Sequence, residues 1–142
     1  LRRFLLASHA NFAEGIYGSL RLIMGDQPNV EFLCAYMTED FDLNKEISFI
    51  LENLKPEDEL IVVTDLLGGS VNNEFMNYVN RMDKKVFVVS GLNLGLLITL
   101  LSRQFEEKDT GQIIVESIDE SKESICLCNK ILEDSQNIDD EF

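Results

Sequence analysis

The chain has 142 residues, 45% of them hydrophobic, with 12 lysines and arginines against 26 aspartates and glutamates and a formal net charge of −14. That is material for one core and one domain, and the acidic excess excludes nucleic acid and anionic membrane surfaces as partners, since binding phosphate backbones needs clustered Lys and Arg. No run approaches the roughly 18 apolar residues of a membrane span, and Leu1-Arg2-Arg3-Phe4 opens only a short apolar stretch without signal-peptide architecture, so no direct membrane insertion and a cytoplasmic location are expected.

In chain order the pattern predicts strand 3–8, helix 12–25, strand 30–36, helix 42–54, strand 59–64, helix 71–82, strand 85–90, helix 94–106, strand 112–117 and helix 119–132. Strands alternating with helices imply an α/β fold, a parallel sheet with crossover helices. The first helix carries Ile16, Leu20, Ile23 and Met24 on one stripe and stops at Gly25-Asp26-Gln27-Pro28. The second carries Leu43, Ile47, Ile50, Leu51 and Leu54 before Lys55-Pro56. Val62-Val63 and Val86-Phe87-Val88-Val89 are continuous apolar runs, as expected of parallel strands covered on both faces. The fourth helix, with Leu92, Leu94, Leu96, Leu97, Ile98, Leu100 and Leu101 in and around it, has little polar face and should be buried on two sides. A second subunit is the expected cover, hence a homodimer, unless the fifth helix or the tail supplies it. From Glu133 to Phe142 the chain holds five acids and no periodicity, and reads as a disordered tail or linker start after a domain of residues 1–132.

Three cysteines form no disulfide framework. Cys34 lies in an apolar strand pattern, and Cys126 and Cys128, two apart on a predicted helix, diverge too far to chelate one metal. Buried structural thiols are expected, with no metal and no cofactor.

The only histidine, His9, follows the first strand, Phe4-Leu5-Leu6-Ala7-Ser8; the third strand, Leu60-Ile61-Val62-Val63-Thr64, runs into Asp65-Leu66-Leu67-Gly68-Gly69-Ser70. Ligands of open α/β sheets collect at the carboxyl ends of the strands, where the winding reverses. In a sheet of order 2-1-3-4, His9 and Asp65 would flank that crevice. A carboxylate on one ring nitrogen fixes the tautomer, frees the other nitrogen as a nucleophile and stabilises the substituted, charged ring. Gly68-Gly69 lets backbone N–H groups converge, Ser70 is a plausible N-cap, and the helix start adds positive potential, so the turn suits a phosphate. Together they suggest phosphoryl transfer through phosphohistidine.

Each part has a plainer reading. A lone histidine is by default structural, an aspartate after a strand is often only a turn residue, and Gly-Gly-Ser matches neither the Walker nor the dinucleotide fingerprint. A hydrolase would need His9 as base with Ser8 or Ser70 as nucleophile, because Ser19, Cys34 and Ser102 have no neighbouring histidine, and Ser70 lacks a nucleophile-elbow sequence. The joint placement favours the phosphocarrier.

These residues resemble the IIA domains of the mannose/fructose/sorbose class of the bacterial sugar phosphotransferase system. One hallmark is Ala7-Ser8-His9-Ala10 with Ala13, Gly15 and Ser19, and the other is Asp65-Leu66-Leu67-Gly68-Gly69-Ser70-Val71-Asn72-Asn73, similar to D-x-x-G-G-S-P-x-N. The resemblance implies that His9 accepts a phosphoryl group from the phosphocarrier protein HPr and passes it to a IIB domain serving the IIC/IID permease. It implies Asp65 as the partner of His9, with Gly68, Gly69 and Ser70 lining the phosphate pocket. It also implies the 2-1-3-4 sheet, a homodimer, and a last strand, about 112–117, exchanged between subunits. Val71 stands in place of the usual proline, Ala10 in place of a common glycine, and Leu67 where some members carry an aromatic; Asn11 and Asn73 could contact the site. The phosphotransfer subunit of dihydroxyacetone kinase shares the fold and histidine but lacks the glycine turn, and a non-catalytic anion-binding module of the same fold is the other alternative.

Overall fold

A computed structural model of the chain describes residues 1–79, 81 and 85–140. The elements are β1 (Arg2–His9), α1 (Phe12–Met24), β2 (Val30–Ala35), α2 (Leu43–Glu52), β3 (Glu59–Thr64), α3 (Ser70–Val79), β4 (Val86–Ser90), α4 (Leu94–Ser102), α5 (Thr110–Lys122) and α6 (Cys128–Asp140). The end of the expected helix 71–82, at residues 80 and 82, lies outside the described residues.

The four strands are parallel in the order β2-β1-β3-β4, the doubly wound arrangement expected. Strand periodicity divides the core in two. Phe4 and Leu6 of β1 with Ile61 and Val63 of β3 face α1, α4 and α5, where Leu20, Leu97, Leu100 and Ile114 meet them. Leu5, Ala7, Leu60 and Val62 face α2 and α3, against Ile47, Leu51, Val71 and Phe75. The register sets His9 beside Ala35 and Ala7 beside Thr64, so the ends of β1, β2 and β3 reach one rim.

The last third departs from expectation. Residues 112–117 are not a strand: they lie within α5, whose start is capped by Asp109 accepting from the Gln112 N–H at 3.2 Å. Ile113, Ile114, Ser117 and Ser121 are its buried face, at helical spacing. The β-branched run Ile113-Ile114-Val115 reads as a strand by propensity, and tertiary packing overrides it. No strand remains at this segment to be exchanged between subunits. Ile114 and Ile118 of α5 pack with Leu96, Leu97, Leu100 and Leu101 of α4, so the second apolar side of α4 is covered within its own chain.

The predicted helix 119–132 is divided between α5 and α6, and α6 runs through the expected aperiodic tail to Asp140. Every residue from Lys122 to Gln136 is exposed. Cys126 and Cys128 are therefore surface thiols and Cys34 is half-buried, contrary to the expectation of three buried ones.

Candidate functional site

Asp65 follows β3 and accepts, on the single oxygen Oδ2, both the backbone N–H of His9 and its ring Nδ1, each at 2.8 Å. One carboxylate oxygen thus fixes the end of β1 and the ring it carries. Burial opposes ionisation of Asp65, but the His9 N–H, the His9 ring and the Leu66 N–H together outweigh it and hold the carboxyl below its ordinary value. An ionised carboxylate only accepts, so Nδ1 bears a ring proton, and in the neutral ring the lone pair is on Nε2.

Nε2 faces Ser70, whose Oγ lies 3.3 Å away. Ser70 is the first residue of α3 and not its N-cap: the carbonyl of Gly69 accepts the first helical bond, from the Asn73 N–H at 2.9 Å. A helix start leaves its first amides unpaired within the helix, here those of Ser70, Val71 and Asn72, and its dipole places partial positive charge there. The end of α3 beside Nε2 is suited to an anion.

The two glycines shape the turn instead of donating to it. The Gly68 N–H is taken by Asn72 Oδ1 at 3.2 Å and the Gly69 N–H by the Leu66 carbonyl at 3.1 Å, so neither amide is free to converge on a ligand as the sequence suggested. Gly68 has φ 78°, a left-handed conformation that favours glycine. At Gly69 a Cβ would stand 3.3 Å from His9 Cε1 and 3.3 Å from the Leu66 carbonyl oxygen, closer than either neighbour accepts comfortably. Glycine there lets the turn lie against the imidazole.

The β1–α1 turn is held from below. Buried Ser8 donates its hydroxyl to the Ala10 carbonyl at 3.1 Å and accepts from the Ala13 N–H at 2.8 Å, which is incompatible with a role as nucleophile. Asn11 makes no capping bond with its side chain, and Asn73 donates to the Gly68 carbonyl at 3.1 Å, stiffening the turn without reaching His9.

The structure gives roles to two residues to which the sequence assigned none. Asn72 donates to Thr64 Oγ1 at 2.9 Å, tying the start of α3 to the end of β3 inside the core. Tyr36, just past β2, places its hydroxyl 2.8 Å from Ser70 Oγ and its ring 5.5 Å from that of His9. The strand order was the available signal for Tyr36, since the end of β2 must lie beside the end of β1. Among the described residues, no group of three or more His, Cys, Asp or Glu is arranged to hold a metal ion.

Residues 3–119 match the family EIIA-man, described as the phosphotransferase system (PTS) fructose IIA component. Among solved structures, the chain is similar to a candidate phosphoenolpyruvate-dependent sugar PTS permease from Klebsiella pneumoniae, with 41% identity and a TM-score of 0.85 over 92% of this chain and 93% of that one. The phosphotransferase system component EIIA from Streptococcus agalactiae is 33% identical, with a TM-score of 0.76 over 92% and 99% of the two chains. The mannose/sorbose specific IIA subunit from Enterococcus faecalis shares the fold, with 20% identity and a TM-score of 0.75 over 89% and 93%.

Proposed function

The chain belongs to the family of PTS fructose IIA components, and on that premise we propose that His9 is its phosphoryl carrier, loaded by HPr and unloaded by a IIB domain that serves the IIC/IID permease. The observation that carries this reading is the pairing of Nδ1 with Asp65, which leaves Nε2 as the nucleophile at the start of α3. In the transfer step the Nε2 lone pair forms the new N–P bond while the donor's P–N bond breaks, the donor nitrogen keeping the electron pair. The Nδ1 proton stays on the ring, and Asp65 balances the positive charge of the substituted imidazole. Ser70 and the first amides of α3 then face the phosphoryl oxygens, while Gly68 and Gly69 give the turn its close approach. Histidine supplies a nitrogen nucleophile whose phosphoramidate bond passes readily onward, so neither metal nor cofactor enters the scheme.

The carrier would work in the cytoplasm, delivering to a membrane permease that it does not itself enter; among the described residues no helix is long and apolar enough to cross a membrane. A homodimer is part of the same proposal. Among the described residues β4 ends the sheet, and beside it lies an apolar recess of about 350 Å³ lined by residues that include Met76, Val86, Val88, Ile114 and Val115. An unpaired edge with apolar flanks favours a second chain, and a sedimentation mass of one chain would remove the dimer from the scheme.

Incubation with phosphoenolpyruvate, enzyme I and HPr should place acid-labile, hydroxylamine-sensitive phosphate on the protein, and His9→Ala should abolish it completely. As this is the only histidine, phosphate retained by His9→Ala would overturn the assignment outright.

A further inference from the structure

Tyr36 has φ 64°, the left-handed region. A bulky residue is rare there and strained, and burial does not account for it, because Tyr36 is 48% exposed. Its ring is nonetheless held on two sides. It stands edge-on to Phe41, with centroids 5.6 Å apart and planes at 74°, and tilts against the His9 ring at 5.5 Å. Its hydroxyl reaches Ser70 Oγ at 2.8 Å, and Ser70 Oγ reaches His9 Nε2 at 3.3 Å.

In the neutral ring, the proton directions along this chain follow from Asp65. With Nδ1–H donated to the carboxylate, Nε2 accepts, so Ser70 gives its O–H to Nε2, and the Ser70 oxygen in turn accepts from the Tyr36 O–H. Each bond polarises the next. The strained residue stands at the far end of the hydroxyl chain that reaches Nε2.

We propose that Tyr36 is a positioning residue for phosphoryl transfer, acting through Ser70. When the Nε2–P bond forms, the lone pair that accepted from Ser70 is consumed and the freed Ser70 O–H turns to a phosphoryl oxygen. Tyr36, still donating to Ser70 Oγ, keeps that hydroxyl in reach and stops it from rotating into solvent. The inference rests on the phosphocarrier reading of His9 and extends it to a residue outside both sequence motifs.

Tyr36→Phe retains the ring, the Phe41 contact and the backbone conformation while removing the hydroxyl. With one imidazole in the protein, ¹⁵N NMR reports on Nε2 without ambiguity. The Nε2 resonance should move in Tyr36→Phe and in Ser70→Ala, and the double variant should sit where Ser70→Ala alone puts it. Phosphorylation by phospho-HPr should slow in Tyr36→Phe by about fivefold to tenfold, the size of one ordinary hydrogen bond. The loss should fall on the maximal rate, not on the donor concentration for half-saturation, and should vanish in the Ser70→Ala background. A wild-type rate, an equal loss in both backgrounds, or an effect confined to half-saturation overturns the positioning role. An unmoved Nε2 resonance in Tyr36→Phe overturns the hydroxyl chain. Failure of the unaltered protein to accept phosphate removes the phosphocarrier reading itself, which the resonance does not depend on.

Discussion

At the rim of the sheet, a few side chains at the ends of β1 and β3 and the start of α3 determine one another's positions through hydrogen bonds: Asp65 holds His9 twice at 2.8 Å, Ser70 faces the other ring nitrogen at 3.3 Å, and Asn72 ties the helix start to Thr64 at 2.9 Å. From Thr110 onward the rule changes. Helix α5 lies on the apolar surface of α4, with polar ties from Thr110 to Arg2 and Glu59 at its start and from Arg103 to Glu116 and Glu120 on its flank, and α6 extends beyond it with its side chains exposed as far as Gln136. The rim is defined by polar geometry and the α4–α5 layer by area removed from water. A polar group misplaced at the rim should change chemistry, while lost volume in the layer should change stability.

The largest effect short of removing His9 is expected for Asp65→Asn. The amide keeps the shape but loses the charge that supports the substituted ring, and a hydrogen bond to a charged group is worth about 1.5–3 kcal/mol, so transfer should slow by roughly 10- to 100-fold. Rapid-quench kinetics at saturating phospho-HPr reads this directly. The pH dependence has a definite sign. Because hydrogen bonds from His9 and the Leu66 N–H overcome burial and lower the Asp65 carboxyl in the folded chain, its stabilisation is present above the unfolded value of about 3.9 and is lost as pH falls through the lower folded value. The stability difference between wild type and Asp65→Asn should shrink on acidification below the ordinary carboxylate range. A difference that widens there contradicts the depressed value.

Ile114→Ala probes the other region. Ile114 is 6% exposed and packs with α4, and cutting such a side chain to alanine costs about 2–4 kcal/mol. Denaturant unfolding should register that loss, while the transfer rate per folded molecule stays at the wild-type value. Slowing comparable to Asp65→Asn would break the separation between the two regions.

The same contrast explains what was legible in the sequence. His9, Asp65 and Ser70 could be placed together because apolar runs broken by turn residues mark the ends of β1 and β3, and the strand order makes those ends neighbours. The segment around Ile113-Ile114-Val115 carries a propensity for strand that only its neighbour α4 overrules, and that neighbour is invisible to local pattern. The amides of Gly68 and Gly69 misled for a related reason. Whether an N–H is free depends on Asn72 and Leu66 turning back on it, which spacing does not encode. Tyr36 belongs to no motif, and its strained φ appears only in three dimensions.

Ala10→Gly should have the smallest effect and tests whether the rim tolerates relaxation. Ala10 has φ 50°, is exposed, and is fixed in the turn by its N–H to the Ala35 carbonyl and its carbonyl to Ser8 Oγ. An L-residue in the left-handed region costs about 1–2 kcal/mol, whereas glycine adds roughly 0.4–1 kcal/mol of unfolded-chain entropy. The balance favours glycine by about 0.5 kcal/mol, a small rise in the unfolding midpoint. Since Ser8 and Asp65 still anchor the turn on both sides of position 10, the transfer rate should not change. Should stability rise while transfer slows, the strained alanine is part of what presents His9, and the rim depends on backbone stiffness as well as on hydrogen bonds.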